Sequence, residues 1–437
     1  MRQFIAIIIA KMIMLYARVL GRRSSAKPGQ MAMKIAPNII KSLCGKIKNK
    51  VIVVTGTNGK TTTNNLICHA MTGAGIRMAA NTYGSNMPDG IATSLIEKCT
   101  IFGRMKADYA CFEIDEAYAA KLFESFTPDY FVVTNLFEDQ IDRFGSFENT
   151  YLLLQKAVEK IPDTTLILNA DDPYSSCLKL DIPNEVLYYG MKPEIMPGEG
   201  SDHSTLCLNC QSVLTFEKTV YSQFGIYKCE KCGFHREETS CTITDLSLTD
   251  DMSKCTINGT DFDTHLKGIY NLYNVLAAYT VLREVGIKED LIQQAVESFV
   301  PPKCRMQKFN LNKPIILNIA KNAASFNQSI LTLLRDPRKK DVAIIMTDKD
   351  DVSYLFDVNF DWLHDENIDT LYIAGLRRPD LALQFKYMGI NEYIACDDIR
   401  DKLEEMAESP SKVCYIIANY TGAYPVGEML QKMEVEI

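Results

Sequence analysis

Three groups of residues in this 437-residue chain have types and spacings that could do chemistry. The first is Val51-Ile-Val-Val-Thr-Gly56-Thr57-Asn58-Gly59-Lys60-Thr61-Thr62, a β-branched run that passes through glycines into threonines. Backbone N–H groups of such a loop and of the helix that follows can surround phosphate oxygens, and the helix dipole favours their charge. Lys60 would reach the terminal phosphates and the Thr61 hydroxyl would hold Mg²⁺. The spacing departs from the general G-x-x-x-x-G-K-[ST] pattern, because position 54 is Val and the first glycine is Gly56. A plain glycine turn with a chance lysine is the simpler reading; the strand before it and the threonines after it argue against that.

The second group is a set of polar clusters at the ends of apolar runs. Phe112-Glu113-Ile114-Asp115-Glu116 offers Glu113 as a second Mg²⁺ ligand, since Mg²⁺ takes a few carboxylates beside phosphate oxygens. Asp115 and Glu116 belong to the same strand-end cluster, with the solvated acidic start of a helix as a nearly equal reading for these two. Thr134-Asn135, Glu138-Asp139-Gln140, Asp142-Arg143 and Asn169-Ala-Asp171-Asp172 end two further runs. The third group is two C-x₂-C pairs, Cys207/Cys210 and Cys229/Cys232, whose separation lies in the zinc-ribbon range. Four thiolates would close a tetrahedral shell around a structural Zn²⁺, with Gly225 and Gly233 easing the turns. His203 and His235 lie nearby and are weaker candidates.

These groups need elements to position them. Residues 51–54, 109–114, 130–134 and 165–168 are apolar on both faces and read as buried strands, with helices over 61–71 and 147–161 between them. That alternation implies an α/β fold with a parallel, doubly wound sheet. Residues from 201 to about 241 break the rhythm and read as an insertion carrying the cysteines. Strand character returns at 243–248, 254–257 and 262–266, followed by a helix over 270–285. Pro301-Pro302 marks a boundary. Strands at 315–319, 342–346, 370–373 and 413–417 then build a second, smaller α/β domain. The organisation predicted is residues 1–48 as an N-terminal helical segment, 49–300 as a central phosphate-binding domain, and 301–437 as a C-terminal domain.

Residues 4–20 are strongly apolar but carry Lys11 and Arg18, and no small-residue cleavage site follows. A central lysine makes a membrane span costly, so the segment reads as a helix packed on the body, with a membrane surface as the alternative resting place. Hydrophobic residues are 47% of the chain and charged residues 23%, which excludes wholesale disorder. A net charge of −8 argues against nucleic-acid binding. Fourteen irregularly spaced cysteines fit a reducing, cytoplasmic compartment.

Taken together, the Gly56–Thr62 loop, Glu113, Thr134-Asn135, Asp139, Asp142 and Asn169-Ala-Asp171-Asp172 resemble the Mur ligases and folylpolyglutamate synthases. Gly268-Ile-Tyr-Asn271-Leu-Tyr-Asn274 resembles their asparagine-rich helix start beside the nucleotide base, and Arg305-Met306-Gln307 resembles the arginine motif that opens their C-terminal domain. The inserted four-cysteine zinc ribbon and Asn318-Ile-Ala-Lys321-Asn322 narrow the resemblance to the MurT family, whose members pair with a GatD-type glutaminase. Two departures stand out. The proline and glycine of that family's Lys-Asn-Pro-Ala-Gly segment are missing around Ala323 and Ala324, and its aspartate-bearing loop is shortened to residues 346–354. The resemblance assigns the aspartate that completes the glutaminase's Cys–His pair to Asp348, with Asp350 as runner-up.

The resemblance implies a Mur ligase-like fold, ATP, Mg²⁺ and Zn²⁺ as cofactors, and nucleotide contacts from Asn271 and Arg305. It further implies ATP-dependent amidation of the α-carboxylate of D-glutamate in a lipid-linked peptidoglycan precursor; the location expected is cytoplasmic, with the inner face of the membrane as a peripheral alternative. A stand-alone ligase that adds an amino acid or glutamate would instead work without a glutaminase. A zinc-ribbon ATPase binding nucleic acid would show salt-sensitive affinity, and a subunit that kept the fold but lost glutaminase activation would follow from the shortened loop.

Overall fold

The computed structural model describes residues 1–21, 24–82, 85–137, 147–180, 182–196, 205–249, 252–301, 303–347 and 352–436. Contacts divide the chain into two compact units, one assembled from Met1–Phe137, Phe144–His265 and Ile269–Phe299, the other built on Val300–Ile437.

The first unit is organised by a nine-stranded sheet. Its strands are β1 (Val51–Thr55), β2 (Met78–Ala80), β3 (Tyr109–Glu113), β4 (Tyr130–Val133), β5 (Thr165–Asn169), β6 (Val186–Met191), β9 (Cys241–Leu248), β10 (Ser253–Ile257) and β11 (Thr260–Thr264). A separate antiparallel hairpin, β7 (Thr215–Tyr221) and β8 (Phe224–Lys228), lies in the insertion. The sheet order is β11-β10-β9-β6-β5-β4-β1-β3-β2, parallel from β2 to β9 and antiparallel through β9, β10 and β11. Every residue of β1 is buried, as its unbroken Val-Ile-Val-Val-Thr run requires for a central parallel strand. Val54 pairs with Glu113 and Thr55 with Val133, so the chain leaves β1, β3 and β4 at the same edge. Ligand-binding groups of open α/β sheets belong at this carboxyl edge.

Helices cover both faces. Lys60–Gly73 follows β1, and Ile269–Glu284 is buried along nearly its whole length. At the N-terminus Arg2–Val19, Lys27–Ile35 and Ile39–Cys44 join the helix Pro88–Glu97 around one hydrophobic core. Arg2–Val19 buries Ala6, Ile7 and Ala10 there, the packing expected for residues 4–20.

The second unit carries a six-stranded sheet: β12 (Gln307–Asn310), β13 (Pro314–Ile319), β14 (Lys340–Ile345), β15 (Ile368–Ala374), β16 (Ile394–Cys396) and β17 (Val413–Ala418). The order is β12-β13-β17-β14-β15-β16, with only β12 antiparallel to its neighbour among these described strands. Apolar clusters fill both faces, one around Phe326, Phe360 and Phe385, the other around Phe309, Leu403 and Leu430.

The α/β class and the Mur ligase-like sheet agree with the sequence, and the differences are local. β2, β6, β7, β8, β12 and β16 were not anticipated; β2 and β16 are three-residue edge strands, too short for any periodic pattern. The parallel sheet continues into an antiparallel meander, because Asn258-Gly259 at the β10–β11 turn takes the positive φ of a tight hairpin.

Candidate functional site

The loop after β1 is held from three sides. Gly56 (φ +120°) runs so close to the end of β4 that an added Cβ would lie 2.4 Å from Thr134 Oγ1 and 2.7 Å from Asn135 O. Gly59 (φ +85°) is the residue before the helix, and a Cβ there would lie 2.0 Å from Asn274 Oδ1. Both glycines are therefore required by backbone conformation and by close approach. Asn135 fixes the loop between them: its Oδ1 accepts from Asn58 N–H at 2.9 Å and its Nδ2 donates to Asn58 O at 3.0 Å. Thr134 Oγ1 donates to Asn58 O at 2.6 Å, and Asn135 O accepts from Thr57 N–H at 2.8 Å. These bonds fix the path of the loop into the helix start, so the chain need not be reordered when an anion binds at that helix N-terminus.

Lys60 is buried, and its ammonium donates to Gly56 O and to Glu116 Oε1 at 3.0 Å, with Thr57 O at 3.4 Å. Of the two readings the sequence left for Glu116, the solvated helix start is excluded: the residue is buried and forms an ion pair with the lysine of the loop. The sequence held no signal for this, because the two residues lie 56 positions apart and meet only through the β1–β3 pairing. Asp115 does act at a helix start, accepting from Ala117 N–H at 3.1 Å. Glu113 ends β3 and is 3% exposed. Asn81 grips its peptide on both sides, accepting from Glu113 N–H at 2.9 Å and donating to Glu113 O at 2.7 Å. Thr61 is half-buried and Thr62 buried in the first turn of the helix.

Beyond the loop, Asp171 and Asp172 are fully buried after β5. Asp171 accepts from Arg236 Nε at 2.7 Å, Tyr273 OH at 2.7 Å and Met191 N–H at 2.8 Å. Asp172 accepts from Leu136 N–H at 2.9 Å, Tyr174 N–H at 3.2 Å and Gln223 Nε2 at 3.3 Å. Gln223 also donates to Leu136 O at 2.8 Å, and next to it Phe224 stacks on Phe137 with ring centroids 5.4 Å apart. The turn of the β7–β8 hairpin therefore plugs into the segment that follows Asn135. Gln223, Phe224 and Arg236 were not singled out from sequence; an isolated Gln or Phe in an insertion carries no spacing signal.

Burial pushes the Asp172 carboxyl up to about 7, against the N–H donors of Leu136, Gln223 and Tyr174 that hold it down. The folded chain then keeps this proton to a higher pH than the unfolded chain, whose carboxylate ionises near 4. Its contribution to stability is fully present below about pH 4 and is lost as pH rises towards 7. Chemical denaturation from about pH 5 to 8 should accordingly show a steeper decline with pH for the native chain than for Asp172→Asn. Parallel slopes would mean that Asp172 is ionised throughout.

The four predicted cysteines converge: Cys207, Cys210, Cys229 and Cys232 place their sulfurs within 4.8 Å of one another, with Cys207–Cys232 at 3.6 Å and Cys210–Cys229 at 3.4 Å. A tetrahedron with metal–sulfur distances of about 2.3 Å has edges of about 3.8 Å, so the donor set fits Zn²⁺. Each pair sits on a tight turn closed by Gln211 N–H to Cys207 O and Gly233 N–H to Cys229 O, with Gln211 (φ +60°) and Gly233 (φ +77°) left-handed. Hydrogen bonds from Ser212 lower Cys210 to about 6 and the Phe234 N–H lowers Cys232, which favours the thiolate at these two positions, whereas burial pushes Cys207 up to about 12. Gly225 does not ease a cysteine turn. It lies inside β8, where an added Cβ would fall 2.0 Å from Lys218 O on the paired strand. His235 is exposed, and its Nδ1 lies 2.9 Å from Gly233 O, outside the four-sulfur cluster; His203 lies outside the described residues.

Asn271 and Asn274 are buried at the start of the Ile269–Glu284 helix, Asn274 Nδ2 donating to Asn271 Oδ1 at 3.1 Å. In the second unit Arg305 stands between Cys304 (φ +62°) and Met306 (φ +50°). Two non-glycine residues so close together in this region are strained, and the turn is held by Asn318 Oδ1 accepting from Met306 N–H at 3.0 Å. Asn322 caps the helix Ala323–Leu334 through a capping box with Ser325, which supplies a firm helix start without the proline and glycine. Asp348 and Asp350, with Asp139, Gln140, Asp142 and Arg143, lie outside the described residues. Asp348 follows Thr347, whose Oγ1 donates to Asn419 Oδ1 at 3.0 Å just past β14.

Comparisons with known proteins fit this geometry. The family model of the Mur ligase middle domain matches residues 54–282, and that of the MurT ligase C-terminal region matches residues 319–423. The chain is 33% identical to the lipid II isoglutaminyl synthase (glutamine-hydrolyzing) subunit MurT of Staphylococcus aureus strain COL, over 99% of this chain and 98% of that protein. It is 31% identical to the protein of the same name from Streptococcus pneumoniae strain ATCC BAA-255 / R6, over 94% of each. Among solved structures, a pseudomurein peptide ligase type C from Methanothermus fervidus shares the fold, with a TM-score of 0.69 at 20% identity, over 90% of this chain and 80% of that one.

Proposed function

The chain belongs to the MurT family of Mur ligase-like synthetase subunits, and from that premise we propose that it catalyses ATP-dependent amidation of lipid II. The acceptor in this reading is the α-carboxylate of D-glutamate in the stem peptide, and the product is D-isoglutamine. The observation that carries it is the preorganised loop Gly56–Thr62 at the carboxyl edge of the sheet, with Lys60 at its centre and Glu113 ending the neighbouring strand.

A carboxylate repels ammonia, so it must first become an electrophile. A carboxylate oxygen attacks the γ-phosphorus of ATP, the bond to ADP breaks, and an acyl phosphate forms. Ammonia then attacks the acyl carbon, phosphate leaves, and the nitrogen loses a proton. Lys60, whose ammonium is fixed by Gly56 O and Glu116, supplies positive charge to the transferring phosphoryl group. Asn135 engages the Thr57 and Asn58 amides and so fixes the path of the loop, and the amides at the start of the helix that follows Gly59 would bind the phosphates. Mg²⁺ on Thr61 and Glu113 would neutralise phosphate charge. Asn271 and Arg305 would bind the nucleotide, and Zn²⁺ on the four cysteines would be structural. A GatD-type glutaminase would supply the ammonia, with Asp348 completing its Cys–His pair. A lipid-linked acceptor puts the reaction in the cytoplasm at the inner face of the membrane.

The test is reconstitution with a candidate glutaminase, ATP, glutamine and lipid II, followed by mass spectrometry for replacement of OH by NH₂. Ammonium salt should substitute for the glutaminase. Glutamate addition to an acid without any glutaminase would overturn the reading in favour of a stand-alone ligase.

A further inference from the structure

The N-terminal helix Arg2–Val19 is apolar on the side that faces away from the protein. Ala6, Ile7 and Ala10 are buried against the first unit. On the other side Ile5, Ile8, Ile9, Met12, Leu15, Tyr16 and Val19 recur at helical spacing and form one uncharged stripe. Met12 is 63% exposed, Tyr16 67% and Val19 76%. The turn between the Pro88–Glu97 helix and β3 extends the stripe: Phe102, 78% exposed, stacks on Phe4 with ring centroids 5.8 Å apart. Single exposed apolar residues are ordinary, but a continuous stripe with an aromatic extension marks an interaction surface.

Charge identifies what the surface meets. Residues 1–48 contain ten Lys and Arg and no Asp or Glu, and the earliest acidic residue in the chain is Asp89. The remaining residues hold 37 Lys and Arg against 55 Asp and Glu, so a cationic segment sits on an acidic protein. Arg2, Lys11 and Arg18 flank the stripe on the helix itself. Lys46 Nζ donates to Gly103 O at 2.8 Å beside Phe102. An apolar stripe rimmed by cations is the composition of a helix lying in the headgroup plane of an anionic membrane. No helix among the described residues is long and apolar enough to cross one.

We propose that Arg2–Val19, together with Ile101 and Phe102, docks the protein flat on an anionic lipid surface. The proposal deepens the reading of a lipid-linked acceptor but stands on this surface alone. Each cation near such a surface raises partitioning about fivefold, so binding should depend strongly on lipid charge and on salt.

The test is co-sedimentation of the full chain with vesicles of phosphatidylcholine alone or mixed with phosphatidylglycerol, without ATP or acceptor, so that failure here leaves the amidation reading untouched. Binding is expected on the anionic vesicles only, weakened by salt, and at least about tenfold lower for Met12→Asp/Tyr16→Asp and for Lys11→Glu/Arg18→Glu. Both pairs change side chains away from the nucleotide loop, and ATP affinity should be unchanged in each. In Tyr16→Trp, anionic vesicles should shift the indole emission to the blue. Equal binding to both vesicle types, or undiminished binding by the aspartate pair, would overturn the proposal. So would a dimer in gel filtration that the aspartate pair dissolves while no vesicle recruits the native chain.

Discussion

Lys60→Ala should lower ATP-dependent amidation by about 10³-fold or more, the scale expected when the cation on a transferring phosphoryl group is lost. The structure adds a complication that an activity assay alone would miss. Lys60 and Glu116 form a buried pair, their side chains only 10% and 8% exposed. Removing one member of such a pair leaves the other charge uncompensated and costs about 3–5 kcal/mol of stability. Lys60→Ala should therefore unfold at lower temperature than the native chain, and lost activity could be mistaken for lost folding. The double change Lys60→Ala/Glu116→Gln separates the two, since it replaces both charges. It should recover most of the melting temperature and none of the amidation. Glu116→Gln alone should destabilise the fold while retaining far more activity than Lys60→Ala, because the ammonium remains. Native-level amidation by Lys60→Ala, or full recovery by the double variant, would remove Lys60 from the reaction.

What the sequence made legible follows from how local each signal is. The loop Gly56–Thr62 and the four cysteines are short motifs, in which residue type and spacing carry the chemistry and the surrounding fold needs only to hold them. Strands β1, β3, β4 and β5 were legible because burial on both faces demands unbroken apolar runs. Glu116 stayed undecided in the sequence because its neighbours favour an exposed helix start, while its partner comes from another strand's loop. Gly225 was misread for a related reason: a glycine near cysteines suggests a turn, but here the tight approach is between paired strands. The clamps formed by Asn81, Asn135 and Gln223 depend on strand order and hairpin docking, which no local pattern encodes. Asn271 was reached through resemblance, and the packing of its neighbour Asn274 on Gly59 supplies the physical reason for an asparagine-rich helix start.

The hairpin of the insertion has a larger role than carrying the four-cysteine cluster, and Phe224→Ala should expose it. Phe224 is fully buried, stacked on Phe137 and edge-on to Tyr273 with centroids 5.1 Å apart. Truncating such a ring costs about 3–5 kcal/mol, so the melting temperature should fall markedly. The effect should also reach the nucleotide. Phe137 lies two residues beyond Asn135, its N–H donates to Thr57 Oγ1 at 2.9 Å, and Gln223 next to Phe224 fixes Leu136 O. Loosening that segment frees the clamp on Asn58, and ATP affinity should drop about tenfold, by the cost of reordering the loop on binding. Cys229→Ser acts at the other end of the hairpin. It removes one of the four sulfurs that would hold Zn²⁺, leaving the docked turn of Gln223 and Phe224 to hold the nucleotide loop. Phe224→Ala is therefore expected to weaken ATP binding more than Cys229→Ser does, although both lower thermal stability. The reverse order would mean that the four-cysteine cluster, not the aromatic plug, transmits the insertion's support to the loop. Unchanged ATP affinity in Phe224→Ala would show that Thr134 and Asn135 hold the loop unaided.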